Sequence, residues 1–245
     1  RFSSPLRYQK MKAFYRVSFA LLYYLSCMSI SWADGFPVDK VYHPYVLANE
    51  RELEWRFISR QNDNGNVLAQ RFAYGHAISE YLTIEGYIVG ERDDTGDFGL
   101  QAYEIEVRWM LTDQGELWAD WGMLFELEKQ HKEDNYEFTT GLLFEKEFTQ
   151  TSLTINALLV YEWGKSIQNE FETEIRLKYR YRYLPALQPY IEIYTGEDFI
   201  GLGPGFMGIH RYEGQKQLKW ELAFIAGLNG DSKDHTLRFA LEYEF

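Results

Sequence analysis

Phe171-Glu172-Thr173-Glu174-Ile175-Arg176-Leu177-Lys178-Tyr179-Arg180-Tyr181-Arg182-Tyr183 sets a charged residue at every second position. Successive side chains of a β-strand point to opposite faces, so this stretch has one apolar, aromatic face and one charged face. The same period returns in Leu218, Trp220, Leu222, Phe224 and Leu228, which alternate with Lys219 and Glu221. It returns again at the end of the chain, where Leu237, Phe239, Leu241, Tyr243 and Phe245 share one face and Arg238, Glu242 and Glu244 the other. From about residue 50 onward the chain reads as strand after strand.

A soluble sandwich or barrel would turn the apolar face inward, with strands of about five or six residues. These segments run longer, to the length of about ten that a tilted strand needs to cross a bilayer. Aromatics also gather near segment ends, at Phe148, Trp163, Tyr181, Tyr183, Tyr243 and Phe245, where interfacial girdles belong. The expected fold is therefore all-β, an antiparallel up-and-down transmembrane barrel with Leu, Phe, Trp and Tyr outward and charges inward. Turn signals divide it into twelve strands: 50–60, 67–77, 80–91, 99–111, 116–128, 136–148, 152–164, 169–183, 187–195, 199–210, 216–228 and 235–245. The even count suits a single-chain barrel. Polar connections rich in Asn, Asp and Gly alternate with tighter ones, which puts the two sets at opposite ends.

Composition agrees. The 245 residues are 46% hydrophobic and 18% aromatic, too apolar for disorder, and one Cys cannot form an internal disulfide. Beyond the N-terminus no uncharged run approaches the roughly 20 residues of a spanning helix.

Residues 1–33 have no Asp or Glu but carry Arg1, Arg7, Lys10, Lys12 and Arg16, followed by an apolar run from Val17 to Trp32 and the small-x-small site Ser31-Trp32-Ala33. This reads as a secretory signal peptide cleaved after Ala33, with Met11-Lys12 as its start; a lipoprotein acylated at Cys27 is the alternative. The mature chain would hold 20 basic against 37 acidic residues, a charge of −17 that repels nucleic acid. Three regions follow: 1–33 as upstream residues and signal, 34–49 as a periplasmic lead, and 50–245 as the barrel. The apolar Val38, Val41, Tyr42, Tyr45, Val46 and Leu47 make the lead a candidate plug for the barrel mouth or a contact for a periplasmic partner.

With its signal peptide and its terminal strand Leu237-Arg238-Phe239-Ala240-Leu241-Glu242-Tyr243-Glu244-Phe245, the chain resembles the bacterial outer-membrane β-barrel proteins. The resemblance implies insertion into outer-membrane lipid, and implies that the terminal aromatics Tyr243 and Phe245 form the signal presented to the barrel-assembly machinery.

The inward face would carry a basic ladder, Arg176, Lys178, Arg180 and Arg182, facing an acidic wall of Glu104, Glu106, Asp120, Glu126, Glu137, Glu145 and Glu147. Such charges either set a field along a pore or pair with one another and fill the interior. Gly201, Gly203 and Gly205 are expected to seat the rings of Tyr190 and Tyr194, and Pro204 to mark a bulge or weak pairing. Asp93, Asp94, Asp97, Asp231 and Asp234 lie in loops without EF-hand spacing, so no metal site is read from them, and no cofactor is implied. His43, His76, His131, His210 and His235 lie in separate segments, none with a Ser or Cys partner at diagnostic spacing, and Ser79 near His76 falls in a tight turn, which leaves little for a catalytic site. The expected function is a small channel for ions or small polar solutes. The alternatives are a non-conducting scaffold or anchor and, third, a barrel-wall hydrolase.

Overall fold

The computed structural model describes residues 38–62, 65–92, 96–196, 199–214, 216–229 and 235–245. The signal segment with Ala33 and Cys27, and Asp93, Asp94, Asp231 and Asp234, lie outside the described residues.

Twelve strands form one closed antiparallel sheet: β1 (Arg51–Asn62), β2 (Gly65–Ala77), β3 (Leu82–Arg92), β4 (Phe98–Met110), β5 (Asp120–Gln130), β6 (Asn135–Glu147), β7 (Thr151–Gly164), β8 (Glu170–Tyr181), β9 (Gln188–Thr195), β10 (Ile200–Arg211), β11 (Gln217–Gly227) and β12 (His235–Glu244). Each strand pairs with its sequence neighbours, and β1 closes on β12 from Glu52↔Glu244 to Gln61↔His235. Closure leaves no unpaired edge, which a strand in lipid cannot tolerate.

Along the strands the alternation sorts the side chains as expected. Arg238 is 1% exposed and faces inward, while its neighbour Leu237 is 37% exposed on the outer surface. Aromatic stacks mark both rims. Tyr161 stacks on Phe171 at 4.3 Å and Tyr136 on Trp163 at 5.5 Å at one rim; Tyr243 stacks on Phe245 at 5.6 Å near the chain terminus. A barrel with an apolar outside, aromatic rims and a charged inside suits lipid around it and polar contacts within.

Three departures from the expected pattern have local causes. β5 begins at Asp120 rather than 116, because residues 111–119 form a wider turn. Gly115 takes φ 75° there and donates its N–H to Asp120 Oδ1 at 2.7 Å, closing the loop on the strand it precedes. Leu124, Leu143 and Leu158 point inward, against the rule that leucines face lipid. Tyr42 packs among them, so an apolar residue inside has an apolar partner. The register shift falls at Val89/Gly90 between β3 and β4, where the Phe98 ring lies against Gly90. At Gly203 and Pro204 the β10–β11 pairing lapses without shifting, the weak pairing expected of a proline that lacks a ladder donor.

Candidate functional site

Residues 38–48 belong to no strand, and 38–46 run inside the barrel. The reversal that sends them there sits just ahead of β1. Asn49 takes φ 63°, a conformation Asn tolerates better than most residues, and Glu50 N–H donates to Leu47 O at 3.1 Å. From that turn the lead runs backward up the lumen.

Its apolar residues find three seats. Val46 packs with Ala77 and Met110 near the terminus end. Tyr42, 1% exposed, packs with Leu124, Leu143 and Leu158 on three adjacent strands. Val38 and Val41 join Tyr190, Tyr194, Phe199, Met207, Ala223 and Ile225. Pro44 lies over Gly122, where a Cβ on the glycine would stand 3.0 Å from the proline Cβ. Asn156 clamps the middle of the lead like a neighbouring strand: Tyr42 N–H donates to Asn156 Oδ1 and Asn156 Nδ2 donates to Tyr42 O, both at 2.7 Å.

Charge fixes the register. The Asp39 carboxylate pairs with Arg56, with Arg71 at 2.8 Å and with Arg176 at 3.8 Å. Its backbone carbonyl accepts from Tyr194 Oη at 2.6 Å and from Arg238. Lys40 Nζ bridges Glu54 at 2.6 Å and Glu242 at 3.0 Å, and its carbonyl accepts from Arg176 Nη1 at 3.2 Å. Tyr45 Oη donates to Asp120 Oδ2 at 3.0 Å. One carboxylate and one ammonium of the lead thus add a partner to buried charges of β1, β2, β8 and β12, where each unmet charge costs several kcal/mol.

The expected basic ladder points inward and is engaged along its length. Arg176 pairs with Glu174 at 2.7 Å besides Asp39, and Lys178 with Glu192 at 3.2 Å and Glu221 at 3.0 Å. Arg180 reaches Glu145 at 3.5 Å, and Arg182, just past the end of β8, reaches Glu147 at 3.0 Å. Two members of the acidic wall therefore face the ladder directly. Glu104 pairs with Arg71, and Asp120 holds Tyr45. Glu106, Glu126 and Glu137 form no ion pair among the described residues; Glu137 accepts from Thr139 Oγ1 at 3.1 Å.

Several buried charges escaped sequence reasoning. Arg238 donates to both oxygens of Glu192 at 2.8 and 3.0 Å, Arg108 pairs with Glu85 at 2.5 Å, and Arg56 with Glu54 at 2.5 Å. Their strand parity placed them inside; nothing in the sequence named their partners. At the terminus end, burial and the neighbouring Glu244 push the Glu50 carboxyl up to about 8.

The glycines of β10 do seat rings. A Cβ at Gly205 would stand 2.2 Å from Tyr190, while Gly201 is covered by Phe199 and Ile225 rather than Tyr194. His76 Nδ1 lies 3.2 Å from the Glu50 carbonyl, and Ser79 Oγ accepts from Tyr81 N–H at 3.2 Å, so this Ser–His couple is otherwise occupied.

No family model and no curated protein matches the chain. Solved structures do. The COG4313 outer membrane channel from Pseudomonas putida F1 aligns at 10% identity and TM-score 0.56 over 84% of this chain and 98% of that one. The KdgM porin aligns at 10% identity and TM-score 0.52 over 79% and 99%, and the beta domain of the Bordetella autotransporter Brka at 12% and 0.50 over 80% and 99%. At such identities the likeness is one of fold, and the fold is that of the bacterial outer-membrane β-barrels.

Proposed function

We propose that this chain is a small outer-membrane channel for ions or small polar solutes, closed by its own N-terminal lead. One observation carries this: the wall closes without the lead. β1 pairs β12 over ten residue pairs, and the lead holds to the wall through side chains, ion pairs and the Asn156 clamp. Its departure would break no strand ladder and would uncover a charge-lined passage. Solved barrels of similar fold include a porin and an outer membrane channel, so such a role lies within reach of the architecture.

The lumen should favour cations. Glu104, Glu128, Glu137, Glu162 and Glu170 stand directly opposite one another across β4 to β8, a continuous acidic row. Each cation of the basic ladder has a carboxylate partner, which offsets its field. Rings of carboxylates favour cations in channels. The mature protein begins at Asp34 after signal cleavage, and Tyr243 and Phe245 present the chain to the barrel-assembly machinery.

Planar-bilayer recording tests the channel directly. The intact mature chain should be mostly silent, and a variant lacking residues 38–46 should conduct. Silence in both, with folded barrel shown by its β-sheet circular dichroism, would favour the second reading, a non-conducting scaffold. The network around Asp39 favours that reading if it never releases.

A further inference from the structure

The inner wall holds three clustered carboxylates, Glu104, Glu106 and Glu126, of which only Glu104, with Arg71, has an ion-pair partner among the described residues. Glu104, Glu106 and Glu126 each bring a carboxylate oxygen to within 4.8 Å of the others. The grouping follows from register: Glu106 stands directly opposite Glu126, and Glu104 lies two residues along β4 on the same face. Directly opposed like charges destabilise a sheet unless something lies between them.

Two further observations point to a ligand. Glu106 is 0% exposed, and neither of its carboxylate oxygens has a hydrogen-bond partner among the described residues. A fully buried, unpartnered carboxylate is among the costliest arrangements a protein can hold. Independently, the Tyr42 hydroxyl of the lead is buried without a hydrogen-bond partner among the described residues. Its ring packs on Leu124, two residues from Glu126 and on the same face of β5. Arg71 holds one oxygen of Glu104 and leaves the other open.

We propose that Glu104, Glu106 and Glu126 bind a divalent cation, calcium in the first instance, with the Tyr42 hydroxyl completing the site from the lead. Carboxylate and hydroxyl oxygens suit a hard cation, and calcium accepts flexible arrays of six to eight oxygens, including bidentate carboxylates and water. The acidic row from Glu170 to Glu104 leads toward the site and would concentrate cations there. Because one ligand belongs to the lead and three to the wall, the ion would fasten the lead in place. The site does not rest on the channel reading, since a non-conducting barrel with the same interior would bind equally.

The test uses the full mature chain, folded in detergent and stripped with EDTA, titrated with calcium and separately with magnesium by calorimetry, with thermal unfolding alongside. One saturable calcium site is expected, with the unfolding midpoint raised by about 5–10 °C at a hundredfold excess over the dissociation constant. Glu106→Gln should abolish both effects while raising the midpoint of the ion-free protein, since it removes the buried charge. Glu126→Gln, at a half-buried position that tolerates exchange, should also abolish binding, and Tyr42→Phe should weaken it about tenfold. Glu52→Gln, which disrupts the other carboxylate groupings at Glu54–Glu85 and Glu242–Glu244, should leave binding intact. Absence of saturable binding by the unaltered chain would overturn the proposal. So would binding that survives both Glu106→Gln and Glu126→Gln, or that is lost in Glu52→Gln.

Discussion

Asp39→Asn keeps the size of the side chain and removes the carboxylate that Arg56, Arg71 and Arg176 share, leaving them Glu54, Glu104 and Glu174 on the wall. The three guanidiniums remain in the wall, where Arg56 is 1% and Arg71 7% exposed. Removing one partner of a buried ion pair typically costs about 3–5 kcal/mol, because the charge left behind stays desolvated. That loss falls on the docked state alone, since an empty lumen would let water reach the arginines. At about 1.4 kcal/mol per factor of ten, the balance between docked and released lead should move toward release by roughly two to three and a half orders of magnitude. Thiol labelling reads it. Cys27 is the only Cys in the chain, so with Cys27→Ser a single reporter at Val41→Cys, buried at 5% exposure, reports the release of the lead. Maleimide should react slowly in the parent and faster by at least a hundredfold in Asp39→Asn, provided opening is fast against labelling. Equal labelling rates in the two, in barrels of equal β-sheet content, would refute the idea that Asp39 anchors the lead.

Other consequences follow from single contacts. Deleting Phe245 should lower the amount of assembled barrel in cells far more than it lowers the stability of barrel refolded in detergent, since even full burial of such a side chain is worth only about 1.5–3 kcal/mol; equal losses in both would refute the assembly role. Gly205→Val should destabilise the barrel by about 1–3 kcal/mol through its clash with the Tyr190 ring, and Tyr190→Ala in the same chain should recover part of the loss; additive losses would show that the ring is not the cause. Glu50 holds its proton to about pH 8 in the folded barrel, against 4.5 for the ordinary group, so the folded state binds more protons between these values. Its contribution to stability is thus present at low pH and is lost as pH rises through that window. Glu50→Gln should flatten this part of the stability profile, and an unchanged slope would contradict it.

Much of the wall was legible because a membrane barrel writes its register into alternation. Arg176, Lys178 and Arg180 could face inward only if Ile175, Leu177 and Tyr179 faced lipid, and one slipped residue would reverse both. Boundaries were less legible. Trp118 and Leu117 continue an apolar pattern into 116–119, yet Gly115 and the Asp120 side chain close a turn there instead. The interior was legible as a list of charges but not as pairs. That Arg238 meets Glu192, three strands apart around the wall and 46 residues apart in sequence, depends on barrel curvature, which a period of two does not encode. The carboxylate grouping at Glu104, Glu106 and Glu126 was hidden in the same way, since it arises across strands and has no loop spacing. The inward leucines left the faintest trace: Leu124, Leu143 and Leu158 share the parity of Asp120, Glu145 and Asn156, an apolar patch on a polar face that only the buried Tyr42 explains.

The closeness of Pro44 to Gly122 offers the most direct test of a removable plug in a conducting barrel. Cβ atoms at these positions would lie near 3.0 Å, and a lead displaced by about half an ångström reaches the roughly 3.5–4.5 Å of a disulfide. Pro44→Cys with Gly122→Cys, in a chain also carrying Cys27→Ser and the lead-releasing Asp39→Asn, should therefore lock the lead under oxidation. In planar bilayers the oxidised barrel should stay silent, and a reductant added to the same membrane should release cation-selective current. The reversal potential of that current should shrink as salt rises from 0.1 M to 1 M, because screening shortens the reach of the carboxylate field from about 10 Å to about 3 Å. Current through the oxidised barrel, or silence after complete reduction, would contradict the account.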